Sequence, residues 1–369
     1  MERGCADRCY SIVALVSERG GGDVPPVVAL ATALRERGHD VRFLCDGDVE
    51  EMVGSTGLPM LHLPRAVEQA TFFHPLHLPR LTARGEAIDA DTPNPLAEWA
   101  QACLPKALAE VKPLAPKLLL STLFCMTLAD RMAAALRIPW VFVNPSFYFG
   151  DDARRPWADD FPGLGAGMFR HWMLPRVKRA ATVLHATDPV FDPPPASVPG
   201  NHRHIGPLVA APPGSVAAPF LAEPGDPWVL VTLAPGHHRD ELGPIPTNAR
   251  VEGFVPHDQV LDRASLMIGH AGHGMVMRGL RHGVPMVLVP WSRDQPGVAA
   301  RAAGIGVAEI VPRGQCSAER VSRAVDRVMG DGSYAAAARK AAARLQADDP
   351  PGRACKLVEE VLQSRYRSG

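Results

Sequence analysis

The sequence predicts an α/β fold with two Rossmann-like, doubly wound domains. Near the N-terminus, strand-length apolar runs at residues 10–17, 40–45 and 59–63 alternate with a helical segment. Around residue 270, a strand, a glycine turn, a helix and another strand follow one another. This alternation is typical of a parallel sheet whose strands are joined by helical crossovers. At 369 residues the chain is also too long for one ordinary domain, so we expect two.

The composition bounds the protein class and its partners. Hydrophobic residues make up 46% of the chain, which supplies ample core for a globular protein. Lys and Arg total 39, as do Asp and Glu, so there is no basic field to attract nucleic acid. The seven cysteines are scattered without CxxC spacing, which favours free thiols in a reducing cytosol. The N-terminal apolar run is too short for a signal peptide or a membrane span, so we expect a cytoplasmic protein.

The first domain is predicted over residues 1–207. After the first strand and a glycine loop, Pro25 and Pro26 suit the first turn of a helix at 27–37, which Gly38 ends. The later predicted elements are a helix at 96–111, a strand at 117–122, a helix at 129–136, a strand at 139–143, a helix at 168–181 and short strands up to residue 204. With the βαβαβ opening, they predict a doubly wound sheet.

Two irregular, aromatic-rich segments interrupt the first domain, at residues 64–95 and 144–169. Loops of this kind line apolar ligand pockets. The candidate ligand contacts in them are Phe72, Phe73, Phe147 and Phe149. For the first segment, a plain surface loop is an equal alternative.

A segment rich in Pro, Ala and Gly, residues 208–226, is predicted as the linker. The second domain, residues 227–350, opens with a strand that ends at Thr232. A short stretch with several prolines then leads to a strand predicted near Arg250. The chain is helical after that domain's last strand, and residues 351–369 are predicted as a final helix.

The most informative stretch is the glycine turn GHAGHG at residues 269–274, between a buried strand and a helix that Gly283 ends. The orphan N–H groups and the dipole at a helix start attract phosphate, and small residues such as Gly272 and Gly274 let it approach the backbone. His270, at the strand tip, adds a side-chain donor for a diphosphate. For His273, an ordinary exposed imidazole is equally consistent with the pattern. A glycine turn alone also occurs in dinucleotide sites.

An acid and an amide, Asp294 and Gln295, follow the next strand. Ligands of open α/β sheets bind at the carboxyl ends of the strands. A carboxylate beside an amide suits the pairing of vicinal sugar hydroxyls. A phosphate site and hydroxyl-binding groups one βα unit apart therefore indicate a nucleotide-sugar.

In these motifs the chain resembles family 1 glycosyltransferases of GT-B fold, most of all the bacterial natural-product and macrolide type. The motifs that carry the resemblance are GFVPH at 253–257, GHAGHG at 269–274, HGVP at 282–285 and RDQ at 293–295. The resemblance implies that the first domain binds the acceptor and the second binds the donor. It also implies that the final helix packs back toward the first domain. Relatives carry one more βα unit after the strand ending at Thr232, so we expect the second domain to be short by one such unit.

The resemblance also implies roles for single residues. Thr232, His270, Gly272, His273, Gly274, Asp294 and Gln295 would bind the phosphates and the sugar, and Val255 and His257 would flank the base. Met275 stands where relatives carry Ser or Thr, and its thioether is only a weak acceptor. Arg278 stands where plant relatives carry a Glu that binds ribose hydroxyls, which favours a dTDP-sugar over a UDP-sugar.

Asp23 is the candidate catalytic base, because relatives place His or Asp there. Plant relatives support their His with an Asp after the fourth strand, where this chain has Ser121 and Thr122 and no carboxylate. The alternative role for Asp23 is a helix N-cap. Family members use the helix dipole and a His instead of a cation, and the sequence shows no metal-ligand spacing, so we expect no metal and no cofactor besides the nucleotide-sugar.

The sequence thus predicts an inverting glycosyltransferase that moves a sugar from a dTDP- or UDP-sugar to a small lipophilic acceptor, such as a polyketide, macrolide or phenol. The alternative is a catalytically silent homologue that binds nucleotide-sugar or assists a partner enzyme. Met275, Thr122 and the short second domain favour that alternative. The acceptor, the sugar, the linkage atom and the formation of a homodimer stay open.

Overall fold

The computed structural model describes residues 9–17, 22–47, 49–54, 56–63, 94–148, 168–209, 219–225, 227–233, 243–253, 255–291 and 294–366. Phe72, Phe73 and Phe149 lie outside these residues. The chain forms two compact units, one of Met1–Pro212 with Asp349–Gly369 and one of Pro213–Asp348. No helix in the described part combines the length and apolar character needed to cross a bilayer.

The first unit contains a seven-stranded parallel sheet in the order β3-β2-β1-β4-β5-β6-β7. Its strands are β1 Ser11–Val16, β2 Asp40–Cys45, β3 Met60–His62, β4 Leu118–Ser121, β5 Trp140–Asn144, β6 Thr182–His185 and β7 His202–His204. Its helices are α1 Val24–Glu36, α2 Glu50–Gly54, α3 Pro95–Val111, α4 Met126–Leu136, α5 Leu174–Val177 and α11 Pro350–Tyr366. The chain order reverses between β1 and β4, so the doubly wound prediction is confirmed.

Helices cover both faces of this sheet, and β1 shows why its sequence is almost wholly apolar. Val13 and Leu15 pack on one face in a cluster with residues of α3 and α4. Ile12, Ala14 and Val16 pack on the other face with residues of α1 and α11. A parallel strand buried on both faces needs a continuous apolar run. Each fully buried Leu or Ile contributes about 1.5–3 kcal/mol.

The final helix α11 packs within the first unit. Val358 and Leu362 are fully buried in the cluster that holds α1. Glu359 pairs with Arg37 at 2.7 Å, and Tyr366 Oη donates to the carbonyl of Lys117 at 3.0 Å. Apolar burial therefore joins this C-terminal segment to the N-terminal sheet, and two polar contacts fix its direction.

One predicted helix of the first unit forms but is shorter and less regular than expected. The sequence predicts a helix at 168–181, and the chain is helical over residues 168–177, as a π-helix at Met168–Met173 followed by the single turn α5. Pro175 lies in the first turn of α5, where its missing N–H breaks the hydrogen-bond series of a continuous helix. Residues from Thr182 belong to β6.

The second unit contains a four-stranded parallel sheet in the order β11-β10-β9-β8 among its described residues. The strands are β8 Trp228–Val231, β9 Ala264–Gly269, β10 Met286–Leu288 and β11 Ala308–Ile310. The helices are α6 His257–Leu261, α7 His273–His282, α8 Gln295–Gly304, α9 Ala318–Gly330 and α10 Gly332–Gln346. The strand, glycine turn, helix and strand predicted around residue 270 are β9, α7 and β10.

The strand predicted near Arg250 is wrong, because residues 243–253 contain no strand. Pro244 and Pro246 lack the N–H that a sheet ladder needs. The side chain of Arg250 instead forms ion pairs with Glu223 and Glu252. In the described part of this sheet, β8 is one of the two edge strands. The loss of one βα unit relative to family members stays a prediction.

Candidate active site

The site begins where β9 ends, against the end of the neighbouring strand. The backbone N–H of Thr232 donates to the carbonyl of Ile268 at 2.9 Å, so the chain stays paired just beyond β8. At Gly269, a Cβ atom would lie 2.6 Å from Thr232 Oγ1, closer than van der Waals contact allows. Glycine is therefore needed at the last position of β9 so that the Thr232 hydroxyl can lie against it.

The turn after β9 is shaped around the imidazole of His270. Ala271 adopts a left-handed conformation with φ of 65°, which few non-glycine residues do. A Cβ on Gly272 would lie 2.8 Å from His270 Nε2, so glycine makes room for the ring. At Gly274 a Cβ would meet no atom within 4 Å, so open space lies beside the first turn of α7.

Helix α7 starts at this turn without help from a side chain. Gly272 is its N-cap, no side chain makes a capping hydrogen bond, and the first turn holds no acidic residue. The positive end of the helix dipole therefore lies beside the glycines, with no acidic residue in the helix's own first turn. At the other end Gly283 has φ of 71°, which confirms the predicted stop. His273 is 6% exposed, so the structure contradicts the exposed-imidazole alternative.

The His270 side chain is half-buried in the turn between β9 and α7, where a ligand at the start of α7 would contact it. Burial lowers the pKa of His270, and the charge of Asp294 acts in the opposite direction. The ring is therefore neutral at pH 7. Its buried Nδ1 has no hydrogen-bond partner among the described residues. Since an unsatisfied buried polar atom costs free energy, a bound ligand would stabilise this ring.

Asp294 and Gln295 lie at the start of α8, after β10. Asp294 is the N-cap residue but makes no capping hydrogen bond. Its charge reaches His270, so both predicted residues belong to one sheet edge. Gln295 Oε1 accepts from the backbone N–H of Trp291 at 2.8 Å. The amide oxygen of Gln295 is therefore used within its own loop, and the NH₂ group is the part that can donate to a sugar hydroxyl.

Helix α6 brings the predicted base-flanking residues to the side of α7. Val255 is half-buried, and His257 is the first residue of α6. Burial lowers the pKa of His257, and the nearby charge of Arg278 adds to this. The guanidinium of Arg278 pairs with Asp258, whose pKa is lowered to about 2 despite burial because His282 and Arg278 donate to it. Sequence reasoning missed Asp258, since only the structure shows that α6 and α7 are side by side.

In the first unit, the predicted base lies at the point where the strand order reverses. Asp23 directly precedes α1, which follows β1, and its side chain is 5% exposed. Ligands of doubly wound sheets bind at this reversal point, here between β1 and β4. Asp23 occupies the N-cap position but makes no capping hydrogen bond, so the capping alternative is wrong. Sequence reasoning missed Asp46, a carboxylate that follows β2 at the same edge and is 1% exposed.

Phe147 is the one predicted acceptor contact within the described residues. It is fully buried, and its carbonyl accepts from Asn144 Nδ2 at 2.8 Å. The structure thus places this ring in the packed interior, and its contact with an acceptor stays a prediction. No cluster of three His, Cys, Asp or Glu side chains that could hold a metal ion occurs in the described part of the chain.

Comparisons with known proteins agree with this geometry. Residues 224–361 match the family model described as "Erythromycin biosynthesis protein CIII-like, C-terminal domain". The demethyllactenocin mycarosyltransferase of Streptomyces fradiae is 29% identical over 159 residues, which is 43% of this chain and 34% of that protein. The matched part thus spans about a third of that relative's length.

Two solved structures share the fold over nearly the whole chain. The glycosyltransferase of kitacinnamycin superposes with a TM-score of 0.75 at 22% identity, covering 96% of this chain and 100% of that one. The glycosyltransferase VinC in complex with dTDP superposes with a TM-score of 0.71 at 19% identity, again covering 96% and 100%. At these identities the likeness shows the fold, which confirms the GT-B prediction.

Proposed function

We propose that this chain, which resembles the family 1 glycosyltransferases of natural-product type in its motifs and shares their GT-B fold, transfers a sugar from a nucleoside diphosphate to a small natural-product acceptor. The second unit binds the nucleotide-sugar and the first unit binds the acceptor. The observation that carries the proposal is the uncapped start of α7 with the unsatisfied His270 ring beside it.

The diphosphate binds at the start of α7. Its negative charge is stabilised by the helix dipole and by the N–H groups of the first turn. Neutral His270 carries one N–H group and donates it to a phosphate oxygen. The Thr232 hydroxyl lies against Gly269 and donates only a long hydrogen bond to the carbonyl of Ile268, at 3.5 Å, so it can turn to donate to a phosphate oxygen. This site needs no metal ion, since dipole and side-chain donors take the role of a cation.

The sugar is bound by Asp294 and the NH₂ group of Gln295. The carboxylate accepts from sugar hydroxyls, and the amide donates to one, because its oxygen is bound to the N–H of Trp291. The nucleoside lies along α6, beside Val255 and His257. A dTDP-sugar is the preferred donor in this proposal. VinC, a structure of the same fold, was solved with dTDP.

The chemical step is an inverting displacement with Asp23 as the general base. Asp23 takes the proton from the acceptor hydroxyl while that oxygen attacks the anomeric carbon, and the nucleoside diphosphate leaves. A positioned base contributes about 10²–10⁴-fold to such a step. The place of Asp23 at the strand-order reversal, buried and free of a capping role, supports this assignment.

A catalytically silent homologue is the second candidate, and Met275 is the observation that favours it. This thioether lies in the first turn of α7, where a hydroxyl would hold a phosphate oxygen, and it offers only a weak acceptor. Under this alternative, nucleotide binds but sugar transfer does not follow.

One experiment separates the candidates. Transfer and donor hydrolysis are measured over UDP- and dTDP-sugars with a panel of phenolic and macrolide acceptors. Glycosylated product with any pair supports the proposed function. Nucleotide binding without product or hydrolysis across the panel supports the silent homologue. Absence of both binding and product contradicts both candidates.

A further inference from the structure

A second buried carboxylate lies at the sheet edge that holds Asp23. In the register of β1 and β2, Val16 is paired with Cys45, so the residues that follow them, Ser17 and Asp46, come side by side. Ser17 Oγ donates to Asp46 Oδ2 at 2.5 Å. Ser17 is fully buried and Asp46 is 1% exposed. The two side chains therefore form a pair built by the sheet register, in the interior of the first unit.

The hydrogen bond from Ser17 favours the ionised form of Asp46, because a hydroxyl that donates to a carboxylate stabilises its charge. A buried, ionised carboxylate creates a strong local field, because little water is present to screen it. The negative charge of Asp46 therefore acts on ionisable groups in its surroundings.

Asp23 and Asp46 both lie close enough to the buried Cys125 thiol for their charges to act on it. Burial raises the pKa of Cys125 well above its usual value, and the charges of Asp46 and Asp23 both add to the rise. Cys125 precedes α4, which follows β4, so the two carboxylates approach one thiol from the β2 and β1 sides of the sheet edge. Other ionisable groups near this place include Cys45, Glu50, Cys103 and Lys106.

We infer that Asp46, oriented by Ser17, is a positioning residue whose charge makes the Asp23 carboxylate a stronger base. The inference rests on the proposed function, in which Asp23 removes the acceptor proton. An ordinary Asp, with a pKa of about 3.9, is a poor base near pH 7. A like charge nearby favours the protonated form of a carboxyl group, which strengthens its conjugate base. Asp46, which follows β2, thus takes the place of the supporting carboxylate that plant relatives carry after the fourth strand.

The first test needs no substrate. The titration of the Asp23 carboxyl is followed by carbon NMR in the wild type and in Asp46→Asn. The inference predicts that the Asp23 midpoint falls by about half a pH unit or more in the variant. Asp188→Asn is the matched control, because Asp188 is also 1% exposed in the same unit and accepts a backbone N–H. An unchanged Asp23 midpoint in Asp46→Asn overturns the inference, whatever the chain catalyses.

The reciprocal measurement covers the case in which Asp46→Asn does not fold. Coupling between two sites acts equally in both directions. The Asp46 midpoint must therefore also fall in Asp23→Asn, by about half a pH unit or more. An Asp46 midpoint that does not move also overturns the inference.

The second test uses the pH profile of kcat/KM in the full-length protein. Asp46→Asn moves the acidic limb to lower pH, because Asp23 then loses its proton more easily. Ser17→Ala keeps the Asp46 carboxyl group and removes only its hydrogen bond, so it moves the limb less than Asp46→Asn does, even where loosened packing lowers the rate. Equal shifts in both variants indicate a structural effect and overturn the inference. A wild type with no transfer activity contradicts the proposed function instead, and the NMR titration still decides the electrostatic link.

Discussion

The most quantitative prediction concerns His202, a buried residue of β7. It lies in a chain of hydrogen bonds whose direction the structure defines. Asn144 Oδ1 accepts from the backbone N–H of Ser146, which orients the amide so that Nδ2 donates to His185 Nδ1 at 2.8 Å. His185 Nε2 then carries the proton and donates to His202 Nδ1 at 2.9 Å. A proton on His202 Nδ1 would place two donors face to face.

The pKa of His202 is accordingly lowered to about 4, by burial first and then by the charges of His204 and Arg203. Above pH 6.5, His202 is neutral in the folded and unfolded states and has no effect on stability. Between pH 6.5 and 4, the unfolded state binds a proton that the folded state does not, so stability falls as pH falls. At about 1.4 kcal/mol per pH unit, the loss reaches about 3 kcal/mol at pH 4.

The assay is urea unfolding of the wild type and of His202→Gln at pH 7, 6, 5 and 4. Gln cannot titrate. We therefore expect the unfolding free energy of the wild type, taken relative to that of His202→Gln, to fall by about 3 kcal/mol from pH 7 to pH 4. His62→Gln is the control, because the His62 side chain is 61% exposed and pairs with Glu50 at the surface. Parallel pH curves for wild type and His202→Gln would refute this reasoning.

Three further predictions address the proposed function. Gly272→Ala adds a Cβ 2.8 Å from His270 Nε2, so it should displace the ring and weaken diphosphate binding in calorimetry. Gly304→Ala is the control, because a Cβ there meets nothing within 4 Å and should leave the affinity unchanged. Equal affinities of the two variants would contradict the role of Gly272. Asp294→Ala should weaken the nucleotide-sugar by about 1.5–3 kcal/mol and leave the free diphosphate nearly untouched, and equal losses for both ligands would contradict its assignment to the sugar. Asp23→Asn should keep the melting temperature and donor affinity while lowering turnover about a hundredfold or more. Normal turnover with both phenol and alkyl alcohol acceptors would contradict the base, and a loss confined to alkyl alcohols would limit its role to poor nucleophiles.

Much of the fold follows from local patterns that the sequence displays directly. The β1 and β9 strands are apolar runs that a two-sided parallel sheet requires, and Gly38 and Gly283 end their helices in left-handed conformations. The glycine turn after β9 also indicates the candidate site, because Gly269 and Gly272 make room for the neighbouring side chains of Thr232 and His270. Gly272 makes room for an imidazole two residues away.

Features that depend on which strands become neighbours could not be predicted in this way. Ser17 and Asp46 are 29 residues apart, and only the register of β1 and β2 brings them together. Asp258 and Arg278 meet because α6 packs beside α7. The strand predicted near Arg250 does not form, and the side chain of Arg250 pairs with Glu223 and Glu252 instead.

The central claim is that the start of α7 and the His270 ring hold a nucleoside diphosphate. Calorimetric titration of dTDP and UDP into the wild type, His270→Ala and His62→Ala tests it most directly. The account predicts binding to the wild type, an affinity about tenfold or more lower in His270→Ala, and an unchanged affinity in His62→Ala. Equal affinities of wild type and His270→Ala for both nucleotides would contradict it.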